Sequence, residues 1–148
     1  MDLHVDDDGF VRAPTPLVYR RLTDVRSWPT WWPGTAVEER PTVDGDEAVL
    51  IGWRGGPGRR VRVHARLHRW RHDEGFALDL RGDVEGHAEF WLEPAHHGTV
   101  VHHLLIGRTD HPAPVRLHAD YRRAIRRGLW ACKDVLELEV RTGAGLVL

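Results

Sequence analysis

Pro114-Val-Arg-Leu-His-Ala-Asp-Tyr-Arg-Arg-Ala-Ile-Arg-Arg-Gly-Leu-Trp-Ala-Cys-Lys-Asp-Val-Leu-Glu-Leu-Glu-Val140 decides the fold. Leu117, Tyr121, Ile125, Gly128, Leu129, Cys132, Val135, Leu136 and Val140 recur at helical spacing and form one apolar stripe. Arg116, Arg122, Arg123, Arg126, Arg127 and Glu137 lie mainly off it. Pro112 and Pro114 precede the stripe, and Gly143 and Gly145 end it. About 25 residues at 1.5 Å each make a helix of roughly 38 Å, long enough to cross a whole β-sheet.

Upstream the period is two. In residues 59–71, Val61, Val63, Ala65 and Leu67 share one face, with Arg60, Arg62, His64, Arg66 and His68 on the other. Phe76, Leu78 and Leu80 then oppose Ala77, Asp79 and Arg81. Residues 84–93 put Val84, Ala88, Phe90 and Leu92 inside, and Glu85, His87, Glu89, Trp91 and Glu93 outside. Residues 99–108 read as the last strand. Residues 36–41 and 46–54 are strands around an Asp44-Gly45 turn, and Gly52–Gly58 is a hairpin connection. It is no phosphate loop, since Gly-Lys-Ser/Thr and a following helix are missing. Short turns between half-buried strands predict an antiparallel meander.

The N-terminal part reads as a strand over residues 3–13, interrupted by an acidic turn at Asp6-Asp7-Asp8-Gly9. A short helix follows, with Thr15 as N-cap, Pro16 at its first position, and Leu17, Val18, Tyr19 and Leu22 as its apolar side. Asp24 caps a second short helix that Pro29, Pro33 and Gly34 end. The predicted architecture is α+β: a curved antiparallel sheet wrapped round one long C-terminal helix. One helix leaves part of the concave face unfilled, so a cavity between sheet and helix is expected.

Composition sets the outer bounds. The 148 residues fit one domain spanning 1–148, and 41% hydrophobic residues plus 15 glycines exclude disorder as the main state. No run of apolar residues is long enough for a membrane helix. The first ten residues are acidic rather than basic, so no secretory signal is expected. The net charge of −1 gives no general reason to expect nucleic acid as a partner. The single cysteine, Cys132, excludes an intramolecular disulfide and a multi-cysteine zinc site. It reads as buried filler in a chain expected in the cytoplasm, as a monomer or homodimer.

Several segments in order carry a family resemblance. They are Ala13-Pro-Thr-Pro-Leu-Val-Tyr19, Asp24-Val-Arg-Ser-Trp-Pro-Thr-Trp-Trp-Pro-Gly34, Gly82-Asp-Val-Glu-Gly86, Gly98-Thr99 and the terminal amphipathic helix. Nearly the whole chain resembles the START/Bet v 1-like (SRPBCC) superfamily, in its polyketide cyclase/dehydrase-type branch. The resemblance implies a helix-grip fold with an elongated hydrophobic pocket. It implies as ligand a polyketide, lipid or aromatic metabolite, as in lipid transport, and in some members cyclisation and dehydration of poly-β-ketone chains. In the aromatase/cyclase members, one pocket-facing strand carries aromatic residues, a serine and an arginine. The matching positions here are Val61, Val63, Ala65 and Leu67, none of which donates a proton or steadies an enolate. Trp28 and Trp32 do match the family's aromatic positions.

The expected ligand-binding residues are therefore Trp28, Trp31, Trp32, Val61, Val63, Ala65, Leu67, Phe76, Leu78, Phe90, Tyr121 and Ile125. Adjacent strand residues face opposite ways, so one of His102 and His103 points inward. Val100, Leu104 and Ile106 argue for His102, and Val101 and Leu105 for His103, with the balance toward His102. Either histidine, with Tyr121, is a candidate acid/base near neutral pH. No cofactor is expected. No metal is expected either, because His64 and His68 lie roughly 13 Å apart along one strand. A partner-protein-binding or chaperone-cofactor role is a further alternative, which a large exposed apolar patch would favour; Trp91 and Trp130, which fall off the main buried stripes, are the residues to inspect for one.

Overall fold

The computed structural model describes residues 1–32, 34–40, 47–54 and 60–143. In chain order the elements are β1 (Asp2–Val11), α1 (Thr15–Thr23), a 3₁₀ turn (Val25–Ser27), α2 (Trp28–Trp31), β2 (Thr35–Arg40), β3 (Glu47–Arg54), β4 (Arg60–Arg71), β5 (Gly75–Gly82), β6 (Glu85–Ala95), β7 (Gly98–Arg108) and α3 (Pro114–Thr142). Seven strands form one sheet in the order β1-β7-β6-β5-β4-β3-β2, every neighbouring pair antiparallel. The two short helices carry the chain from one sheet edge to the other. The meander then returns strand by strand until β7 closes on β1. This is the α+β arrangement of antiparallel sheet and long C-terminal helix that the change of period predicts, and the helix-grip fold that the resemblance implies.

The inward stripes meet as expected. Val61, Val63, Ala65 and Leu67 are all buried, as are Phe76, Leu78, Ala88, Phe90 and Leu105 from the next strands. α3 lays Leu117, Tyr121, Ile125, Leu129, Cys132 and Leu136 over them. Val135, at the rim of that stripe, is exposed. The helix has 29 residues rather than about 25, because Pro114 sits in its first turn instead of preceding it. Gly143 ends it at φ 74°, a left-handed value that glycine adopts without strain.

Five local expectations are corrected. Asp6–Gly9 is not a turn. It runs straight through β1, opposite Leu104 to Val101 of β7. The inward positions are Leu3, Val5, Asp7, Gly9 and Val11. Asp7 is accommodated by Arg126 of α3 at 3.1 Å, and Gly9 by its close approach to Leu129, whose Cβ would lie 3.7 Å from an added methyl. Thr15 does not cap α1: the Pro14 carbonyl accepts from Leu17 and Val18 N–H. The Thr99 hydroxyl donates to the Ala13 carbonyl at 2.9 Å, which leaves Thr15 Oγ1 to donate to Thr99 Oγ1 at 2.8 Å. Asp24 does sit before the 3₁₀ turn, but its carbonyl rather than its carboxylate serves Ser27 N and Oγ. Pro29 opens α2 instead of ending it, where its missing N–H costs nothing. The alternation of β4 also breaks at a register shift between His68 and Arg71, with Arg69 at φ 52°. The Asp44-Gly45 turn, the Gly55–Gly58 part of the hairpin connection and Gly145 lie outside the described residues.

Candidate functional site

The interior site is built by α2, the strands β4–β7 and α3. Trp28, Trp31 and Trp32 are all buried. Trp28 donates its indole N–H to the Leu22 carbonyl at 2.8 Å, so it anchors the short helices to each other. Trp31 and Trp32 stack at 5.7 Å with 13° between planes. Gly128 of α3 makes room for them, since an added methyl would lie 3.3–3.4 Å from both rings. Of the three, Trp32 is the one that lines the interior cavity. Its ring stands edge-on to Phe90, His103 and Tyr121, at 6.0–6.2 Å between centroids.

His103, not His102, is the interior histidine. Val101, His103 and Leu105 alternate inward on β7, and His103 pairs with Phe90 of β6, ring centroids 4.3 Å apart. His102 lies on the outer face, stacked parallel on Trp91 at 4.9 Å, with Nε2 3.4 Å from the Glu93 carboxylate. The sequence favours His102 because the outer face of β7 is itself apolar, and the structure leaves Ile106 exposed there.

His103 Nε2 lies 2.5 Å from the Tyr121 hydroxyl, linking β7 to α3 through the core. Burial drives the histidine down to about 3, against a weak upward pull from the Glu89 backbone. No hydrogen bond of full geometry reaches Nδ1. Burial raises the Tyr121 phenol far above its ordinary value. Both groups are therefore neutral at pH 7. They offer a ligand one donor and one acceptor, not a charge.

An apolar cavity of about 30 Å³ lies beside this pair, lined by Trp32, Thr35, Val63, Leu78, Leu80, Val84, Ala88, Phe90, His103, Leu105 and Tyr121. It brings together Trp32, Val63, Leu78, Phe90 and Tyr121 of the predicted site. Trp28, Trp31, Val61, Ala65, Leu67, Phe76 and Ile125 are buried in other parts of the core. Thr35, Leu80, Val84, Ala88 and Leu105 join them in the wall, most at positions that the β5–β7 alternation marks as inward. The volume holds about one water. Among the described residues, the space beside this pair is thus smaller than a ligand-sized pocket, with Trp32 and Phe90 among its walls.

Burial also places Cys132 and the two tryptophans that fall off the stripes. Cys132 is buried, and its thiol is pushed up to about 12, chiefly by desolvation. Trp130 is exposed and Trp91 half-buried under its stack with His102. Among the described residues, no helix is long and apolar enough to cross a membrane.

No protein-family model matches the chain, and no curated protein matches it by sequence. Solved structures do. The Zhui aromatase/cyclase from Streptomyces sp. R1128 is similar at 20% identity, covering 97% of this chain and 98% of that one, with a TM-score of 0.78. A START superfamily protein from Mycobacterium smegmatis is 13% identical, with 91% and 97% covered and a TM-score of 0.74. Ara h 8.0201 is 14% identical, with 92% and 98% covered and a TM-score of 0.69. At these identities the likeness establishes architecture alone: the chain has the helix-grip fold seen in these structures.

Proposed function

We propose that the chain binds a hydrophobic small molecule (a polyketide, lipid or aromatic metabolite) between the sheet and α3. The observation that carries this reading is the neutral His103–Tyr121 pair set in an otherwise apolar, aromatic-walled interior. One convergent polar pair in an apolar wall is the usual make-up of a small-molecule site. In this reading a ligand displaces Trp32 from its place against Phe90, His103 and Tyr121, which couples binding to a change in indole environment. Native mass spectrometry of the protein from its own host, followed by denaturing extraction, tests the reading. A retained apolar molecule supports it. An empty protein whose tryptophan emission is unmoved by flat aromatic and fatty-acyl probes overturns it.

The second reading is a polyketide cyclase/dehydrase-type enzyme in which His103 and Tyr121 transfer protons. The 2.5 Å contact between them favours it, together with the likeness to an aromatase/cyclase structure. A histidine held near 3 is a weak base in the closed form, so solvent or substrate must first enter and restore its basicity. His103→Phe and Tyr121→Phe are each expected to slow turnover of a poly-β-ketone substrate by about tenfold to ten-thousandfold. Unchanged turnover in both removes the enzyme reading and leaves the binding one intact.

A further inference from the structure

The convex face of the sheet, away from the cavity, carries a second constellation. Asp79 of β5 lies directly opposite Arg66 of β4 and His87 of β6, and His68 of β4 is its diagonal neighbour. His68 Nε2 is 3.0 Å from Asp79 Oδ1, and His87 Nδ1 is 3.7 Å from that same oxygen. One ligand atom from each residue lies within 4.8 Å of the other two. The His68 contact is short enough for a hydrogen bond, yet Nε2 is shielded from solvent and has no hydrogen bond of proper geometry. Ligands held at 2.0–2.1 Å around a tetrahedral ion stand about 3.3 Å apart, between the two measured separations.

The surroundings divide the remaining atoms consistently. Asp79 Oδ2 takes Arg66 Nη2 at 3.3 Å, which leaves Oδ1 to the two histidines. Glu89 gives Oε1 to Arg71 at 2.8 Å and turns Oε2 toward His87 Nε2, 3.9 Å away. A carboxylate behind the far nitrogen is the usual support for a metal-bound imidazole, because it fixes which nitrogen is free to ligate. All three ligand residues are half-buried, and their rigid platform is three paired strands. Two imidazoles and one carboxylate suit first-row divalent ions of the zinc class rather than magnesium or calcium.

We infer that His68, Asp79 and His87 form a binding site for a divalent transition-metal ion of the zinc class on the outer face of the sheet. Three protein ligands leave one coordination position to water or to an added molecule. The ion ties β4, β5 and β6 together across the sheet. The site is independent of the interior cavity and of its proposed ligand.

The test is calorimetric titration of the metal-free full chain with Zn²⁺ alone, near neutral pH. One ion per chain is expected. His68→Gln, Asp79→Asn and His87→Gln are each expected to weaken binding by tenfold or more, and Glu89→Gln by about tenfold. His64→Gln, on the same strand face but outside the group, and the double variant His96→Gln/His97→Gln are expected to bind as the unaltered chain does. Anomalous diffraction at the zinc edge from the unaltered protein gives a readout that needs no variant, with a peak expected among the three ligand atoms. Absent binding, triad variants that bind normally, binding lost only in the His96/His97 variant, or a peak elsewhere would each overturn the assignment.

Discussion

Acid should weaken this fold through one residue well before its carboxylates titrate. His103 is held at about 3 in the folded chain, against 6.5 for the free side chain. As pH falls, the unfolded chain takes up that proton first. The stability tied to neutral His103 is thus complete above about pH 6.5 and is lost as pH falls toward 3. Between about pH 8 and pH 5 the loss is RT ln(1 + 10^1.5), or roughly 2 kcal/mol. The figure hardly changes for any native value below about 4, because the folded chain then stays unprotonated at pH 5. For a chain of this length it corresponds to a fall in Tm of about 4–8 °C. Carboxylates with lowered values, Glu137 among them, contribute below about pH 4.5 and stay outside this window. Urea unfolding followed by the emission of the seven tryptophans, repeated at intervals of pH, measures the slope. The comparison chain is His103→Leu/Tyr121→Phe, which removes both partners and leaves neither buried group unpaired. Its loss of stability between pH 8 and pH 5 is expected to be smaller by that same ~2 kcal/mol. Equal slopes in the two chains would refute the reasoning, because neutral burial of His103 would then contribute nothing.

Three further outcomes are expected. Trp32→Gly should cost about 3–5 kcal/mol and leave an indole-shaped void, so added indole should raise the Tm of that variant and not of the unaltered chain. Cys132 should resist a thiol-specific chromogenic reagent in the native protein and react fully in denaturant, as its burial and raised value imply; rapid labelling of the native chain would contradict both. Thr99→Val should cost about 1–3 kcal/mol by urea unfolding, since the Ala13 carbonyl and the Thr15 hydroxyl both lose their partner.

The parts of the fold that sequence made legible are those in which one face alone is apolar. Val61 to Leu67 and the stripe from Leu117 to Leu136 each admit one orientation, so strand, helix and mutual packing follow from period alone. β7 is different, because Val100, Leu104 and Ile106 are as apolar as Val101 and Leu105. Only the pairing of His103 with Phe90 and its contact with Tyr121 decide which histidine is inside. Asp6 to Gly9 read as a turn by residue type. Its two inward positions are instead satisfied by α3, through Arg126 and Leu129, more than a hundred residues away. The His68–Asp79–His87 group was hidden for the same reason: spacing along one strand separates its members, and register across three strands joins them. The cavity volume was equally out of reach, because it depends on where one indole ring lies.

That indole sets the energetics of the interior. Trp32 ends a helix of four residues that has no side-chain cap, and it is followed by Gly34 at φ 74°. Little regular structure is lost if this segment swings outward. The main cost is returning one large aromatic side chain of roughly 150–250 Å² to water, about 4–6 kcal/mol at 25 cal/mol per Å². A ligand the size of indole would recover about the same amount, so exchange alone gives weak binding. Each further 100 Å² of apolar surface covered adds about 2.5 kcal/mol at 25 cal/mol per Å². Affinity should therefore stay weak for single-ring compounds and climb steeply once a ligand outgrows the indole that it displaces. In Trp32→Gly the displacement cost is gone, so the same series should start tighter and climb from its smallest member. Parallel curves with no such offset would mean that ligands enter by a route that leaves Trp32 in place.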